Sequence, residues 1–134
     1  MLWILAGVLV LHGLVHMLYL GHVRGLFELQ PGMAWPSGSW VLSSWMTPSW
    51  ISGLSGALLP VAAAAFAAAG VALLASQAWW RPLAVGAAGL STILYVFLWD
   101  GTSLHLDNQG AFGVLINLTL LGLLLWARWP RFEF

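Results

Sequence analysis

Residues 2–23 read LWILAGVLVLHGLVHMLYLGHV, without one Asp, Glu, Lys or Arg. A run of this length matches the ~20 apolar residues that an α-helix needs to cross a hydrocarbon core. Inside lipid a spanning segment must satisfy its own backbone hydrogen bonds, which a helix does and an open strand does not. No basic residue precedes the run, and it is longer than the ~7 to 15 residues of a signal-peptide core, so it is expected to be retained as a helix.

Three further runs of the same character follow, at about residues 51–75, 83–99 and 111–127. The alternating ~10-residue strands of a membrane barrel are missing. The predicted fold is therefore all-α: one domain, residues 1–134, forming a polytopic four-transmembrane-helix bundle. Composition agrees, because 61% of the chain is hydrophobic and 6% charged, more apolar surface than a soluble domain of this size can hide. The lipid bilayer is the expected partner. Little chain remains for a separate catalytic domain, so any chemistry belongs to the bundle or its loops.

Absent residues remove whole classes of function. Net charge is zero and there is no lysine, which argues against nucleic acid and against a polybasic lipid-binding tail. Lysine's absence also removes a Schiff-base site. Without cysteine there is no thiol–disulfide exchange and no thiolate-held iron–sulfur cluster.

Arginine sets the expected orientation, since short cytoplasmic loops carry the excess of positive charge. Arg81, Arg128 and Arg131 lie on the side of both termini, whereas Arg24 shares the opposite side with Glu28, Asp100 and Asp107. Both termini are expected to be cytoplasmic. Tryptophans gather at both ends of the runs, as interfacial belts require.

The connection 24–50 contains PGMAWPSGSWVLSSWMTPSW and is expected to lie on the membrane surface. Ser39 is placed to cap a short interfacial helix carrying Trp40, Val41, Leu42, Trp45 and Met46. That segment reads either as a tryptophan-anchored loop or as a lid over a ligand site. The second run, rich in Gly and Ala, looks like the central packing helix. Pro60 is expected to bend it.

The first run carries the candidate site. His12, His16 and Tyr19 fall within about 60° on one helical face, and side chains of this kind are costly in hydrocarbon unless they face the bundle or a wet cavity. Asp100 at the end of the third run and Asn117, about 10 Å into the fourth, complete the expected constellation. It is predicted to open outward near His22, His105 and Asp107, with Asp107, Asn108 and Gln109 leading into the fourth helix. Histidines at i and i+4 can share a metal, with Asp100 as third ligand. A zinc-protease motif fails, because Gly13 stands where a glutamate should follow the first histidine. Haem would need a homodimer or a single histidine ligand. The alternative is that these residues hydrogen-bond between helices and fix their register. Ser91, Tyr95 and Thr119 are expected to be structural, the two hydroxyls of Ser and Thr bonding within their own helices.

Through HGLVH in the first run, WDG after the third, INL in the fourth and the closing RWPRFEF, the chain resembles small bacterial four-helix membrane proteins, with a DoxX-like topology. That resemblance implies a bacterial cytoplasmic (inner) membrane protein in redox-associated biology, sometimes with a quinone. Three functions stay open: a module binding a small ligand, quinone or metal; a structural subunit packing in a homo-oligomer or larger complex, with no cofactor; and a proton-coupled carrier or enzyme using the histidines as a relay. One copy lacks the repeat structure of a transporter.

Overall fold

The computed structural model describes residues 1–33, 35–103, 106, 109–130 and 132. Four α-helices follow one another, α1 Leu2–Val23, α2 Pro48–Leu74, α3 Trp80–Leu98 and α4 Ala111–Leu121, the last continued by a π-turn at Gly122–Trp126. Two starts come earlier than expected, both because of proline. Pro48 occupies the first turn of α2 behind Thr47, and Pro82 falls in the first turn of α3, where a missing N–H leaves no bond unmade.

α1, α2 and α3 are each long and apolar enough to cross a membrane, which makes this an all-helical membrane protein. The fourth apolar segment, Ala111–Trp126, is shorter and reaches roughly 24 Å at ~1.5 Å per residue. Its wide last turn, closed by Ala127 N–H on the Gly122 carbonyl at 3.1 Å, would otherwise leave terminal carbonyls bare. Arg81 takes them up, donating from Nη1 to the Leu124 carbonyl at 3.1 Å and from Nη2 to that of Pro130.

α2 is the middle helix, packed along both α1 and α3, and α3 in turn packs along α4; the α1–α4 seam is thin by comparison. Small residues set these distances. A Cβ added to Gly13 would lie 2.9 Å from the Ala63 carbonyl oxygen, and one added to Gly70 would lie 2.9 Å from that of Ala6, so the α1 and α2 backbones meet with nothing between them. One core, with Ala6, Leu9, Phe66, Leu73, Trp80 and Leu124, takes in Leu2 and Phe132 at its edge. Both ends of the chain therefore share one end of the bundle. The opposite end is filled by Trp35, Ile51, Ala62, Leu94 and Leu98.

The 24–50 connection folds down onto that second end. Among the described residues before Pro48 its helical piece is a single 3₁₀ turn at Leu42–Ser44, shorter than the expected interfacial helix; its N-cap is Val41, without a side-chain cap bond, and Ser39 stands ahead of it, its Oγ accepting from Leu42 N–H at 2.9 Å. Ser39 also donates to the Phe97 carbonyl. Trp40 is tied twice to the end of α3, by its indole to the Val96 carbonyl at 2.7 Å and by its backbone N–H to the Trp99 carbonyl at 2.7 Å.

Candidate functional site

The polar face of α1 turns inward. His12 and His16, one turn apart, stand edge to face at 5.3 Å between ring centroids. Beneath them lies Phe66 of α2, fully buried, at 4.7 Å from His12 and 5.6 Å from His16. The close approach at Gly13 is what brings Phe66 under both rings, since that same added Cβ would meet the Phe66 Cβ at 3.1 Å.

Four buried side chains from three helices form one network. His16 Nδ1 reaches the His12 carbonyl at 3.0 Å and its Nε2 reaches Ser91 Oγ at 2.8 Å. Asn117 Nδ2 donates to Ser91 Oγ at 2.8 Å, and Asn117 Oδ1 meets His12 Nε2 at 2.8 Å. With both imidazoles neutral, every direction follows from one end. A carbonyl only accepts, so His16 carries its proton on Nδ1 and offers a lone pair at Nε2. Ser91 donates to that lone pair, accepts from the Asn117 amide, and leaves Asn117 Oδ1 to accept from His12 Nε2–H.

This assignment leaves Nδ1 of His12 with a lone pair. Among the described residues no donor reaches it, and the atom is not sealed by packing. His12 and His16 border a cavity of about 190 Å³ whose wall is otherwise largely apolar and aromatic, including Tyr19, Trp35, Leu59, Tyr95 and Phe112. For scale, a dry cavity of about 150 Å³ holds one benzene ring. Trp35 roofs it, edge to face with Tyr19 at 4.5 Å. The Trp35 indole N–H is sealed by packing, without an acceptor among the described residues, a state that costs about 1–3 kcal/mol.

Of the expected constellation, the structure gathers His12, His16 and Asn117 into the network and sets Tyr19 in the cavity wall. Asp100 is not with them. Its Oδ1 accepts from the backbone N–H and the hydroxyl of Thr102 at 2.9 and 3.0 Å, and its Oδ2 accepts from Gln109 Nε2 at 2.9 Å. The three-ligand metal set of His12, His16 and Asp100 therefore does not form, and no group of three His, Cys, Asp or Glu side chains suited to a metal occurs among the described residues. Asp100 instead holds the start of α4. Gln109 precedes Gly110, whose φ of +96° favours glycine and whose added Cβ would lie 3.5 Å from Tyr95 and 3.7 Å from the Tyr19 hydroxyl.

The outward opening does not pass by His22 either. That side chain organises the following loop, with Nε2 donating to the Met33 carbonyl at 3.3 Å and Nδ1 accepting from Leu29 N–H at 3.4 Å. His105, Asp107 and Asn108 lie outside the described residues, as does Arg131. Two participants escaped the sequence reading. Ser91 bonds between helices and not within its own, whereas Thr119 does bond back to the Leu115 carbonyl at 2.8 Å. Trp35, one of the tryptophans expected at the outer interface, is instead the cavity's roof.

Fold and site together define a helical membrane protein with a polar network set into an apolar cavity. Compared with known proteins, the chain matches no family model, no curated protein and no solved structure.

Proposed function

We propose that this protein binds a small, mostly apolar molecule inside its bundle. The observation that carries this reading is the cavity itself: about 190 Å³ of space bounded by aromatic side chains and by two buried histidines. A concave, apolar site with a few convergent polar atoms is the usual form of a ligand pocket. The Nδ1 lone pair of His12 gives such a ligand one acceptor. In this reading α4 completes a fourth crossing, the termini with Arg81 and Arg128 face the cytoplasm, and the protein resides in a bacterial cytoplasmic membrane.

Extraction of the purified protein and mass spectrometry of what it carries is the test, with Gly113→Leu beside the wild type. Gly113 lines the cavity, and a Cβ there would sit 3.6 Å from His12 Cε1, so a leucine fills the space while the four network residues are kept. A molecule present near one per chain in the wild type and lost in the variant is the expected result. An empty wild type ends this reading.

A second reading has its own observation. The network ties α1 to α4 across a seam that is otherwise thinly packed, so its four residues also serve as a structural lock, as a subunit of a membrane complex would need. A proton relay fits less well. The chain of bonds passes through the amide of Asn117 and ends on a backbone carbonyl, neither of which hands on a proton as an imidazole does.

A further inference from the structure

Three features describe how the cavity meets its surroundings. At the loop end it is covered by Trp35, which is 4% exposed, and by Gly110 at the start of α4, whose added Cβ would lie 3.9 Å from the Trp35 ring. At its side the wall is made by Val15 of α1 and by Phe112 and Ile116 of α4, which are 39%, 65% and 41% exposed on the outer face of the bundle. Below that side, a second apolar groove runs along the same two helices past Val8, Leu115 and Leu123, and Ile116 belongs to both. The cavity is thus roofed toward the loops and bordered by exposed apolar side chains along the seam, and with α4 as a fourth crossing that seam is a face that lipid covers.

The polar atoms restrict what can sit there. His12 Nδ1 offers a lone pair and takes a donor. A hydroxyl supplies that donor. A ketone or an ether supplies no donor and leaves His12 unmatched. Tyr19, Trp35, Tyr95 and Phe112 surround the space, and aromatic walls accommodate a flat ring in edge or offset geometry. We infer that the cavity is loaded sideways from the bilayer, across the α1–α4 seam, by a lipid-soluble phenol whose hydroxyl donates a hydrogen bond to His12. This rests on the ligand-binding reading above and narrows it to one chemical class and one route. The ring occupies the cavity, and an alkyl substituent lies in the seam beside Ile116.

The test uses the full chain in phospholipid nanodiscs with 4-butylphenol and its methyl ether, 4-butylanisole, which keeps the ring and tail and loses the donor. Saturable binding above empty nanodiscs is read by ligand-detected NMR, and association by stopped-flow tryptophan fluorescence. The phenol is expected to bind about tenfold more tightly than the ether, the loss of one hydrogen bond to a buried acceptor. In Val15→Phe, a change at an exposed position that adds bulk at the mouth, association of the phenol slows about tenfold on the same scale of barrier. Equal affinity for phenol and ether overturns recognition through a hydroxyl. An unchanged association rate in Val15→Phe overturns the lateral route. If 4-butylphenol shows no saturable binding, the inference falls. A stoichiometric molecule extracted from the same preparation would then leave the broader ligand-binding reading standing, and an empty extract would remove both.

Discussion

His12 on α1 and Asn117 on α4 are joined by a 2.8 Å hydrogen bond across 105 positions of sequence. The bond crosses a thinly packed seam of the bundle, where few other contacts would hold the two helices in register. Asn117 is fully buried and uses both ends of its amide there, Oδ1 on His12 and Nδ2 on Ser91. An apolar residue of similar size leaves His12 Nε2–H without an acceptor and Ser91 Oγ with its bond to His16 alone, in a medium without water.

Asn117→Leu is therefore expected to lower stability by about 1–3 kcal/mol, two hydrogen bonds at roughly 1 kcal/mol each with the desolvation of the orphaned groups. Thermal unfolding in detergent measures it. Unchanged or raised stability would mean that the network contributes nothing to the fold.

Two glycines of α1 should respond oppositely to the same small change. At Gly13 an added Cβ meets the Ala63 carbonyl oxygen at 2.9 Å, whereas at Gly7 it meets nothing within 4 Å. Gly13→Ala forces α1 away from α2 and should be destabilising, as overpacking generally is by ~1–3 kcal/mol. Gly7→Ala should be neutral or stabilising by up to about 1 kcal/mol, because alanine is the better helix former. Melting temperatures of the pair decide the matter, and equal effects at both positions would contradict this helix packing.

Asp100→Asn separates a positioning role from a metal-ligating one. The carboxylate's partners are Thr102 and Gln109, so the expected consequence is loosening of the loop before α4. Backbone hydrogen exchange at 109–114 should rise in the variant. Metal content, by elemental analysis, should be the same in variant and wild type. A metal present in the wild type and lost from the variant would restore Asp100 to the histidines' company.

Arg81→Ala removes the donors to the carbonyls of Leu124 and Pro130 and takes away the guanidinium that sits 5.3 Å from the Trp80 ring centre. With those carbonyls bare, the π-turn at Gly122–Trp126 should fray. Limited proteolysis should then cut beyond Leu121 at least several-fold faster than in wild type, on the order of the ~1 kcal/mol such a bond contributes. Equal cleavage rates would show that the tail is held by Trp80 and Phe132, 6.1 Å apart, without the arginine.

Much of the architecture was legible because a bilayer imposes a one-dimensional rule. A helix must be long and apolar to cross, so α1 was readable to the residue, and so was the role of α2, since only small side chains let neighbouring backbones close. The inward turn of His12 and His16 was equally legible, because two imidazoles on one face have no tolerable place in lipid. Less regular features were not. Ser91 and Thr119 look alike in sequence, each able to bond to its own helix, and only the rotation of α3 about its axis separates them. Asp100 looked available as a ligand because nothing in a linear reading shows that Gln109 folds back onto it.

The residues alone therefore determined that this chain is a bundle of apolar helices, and which side chains cannot face lipid. Tertiary structure decided which of those side chains meet, that the space beside them is roofed by Trp35, and that Val15, Phe112 and Ile116 form its side wall. The division has a physical cause. Transfer from water to hydrocarbon is a property of each segment and adds up along the chain. A hydrogen-bond partner or a cavity depends on the rotation and separation of several helices at once, and that relation exists only after they have packed.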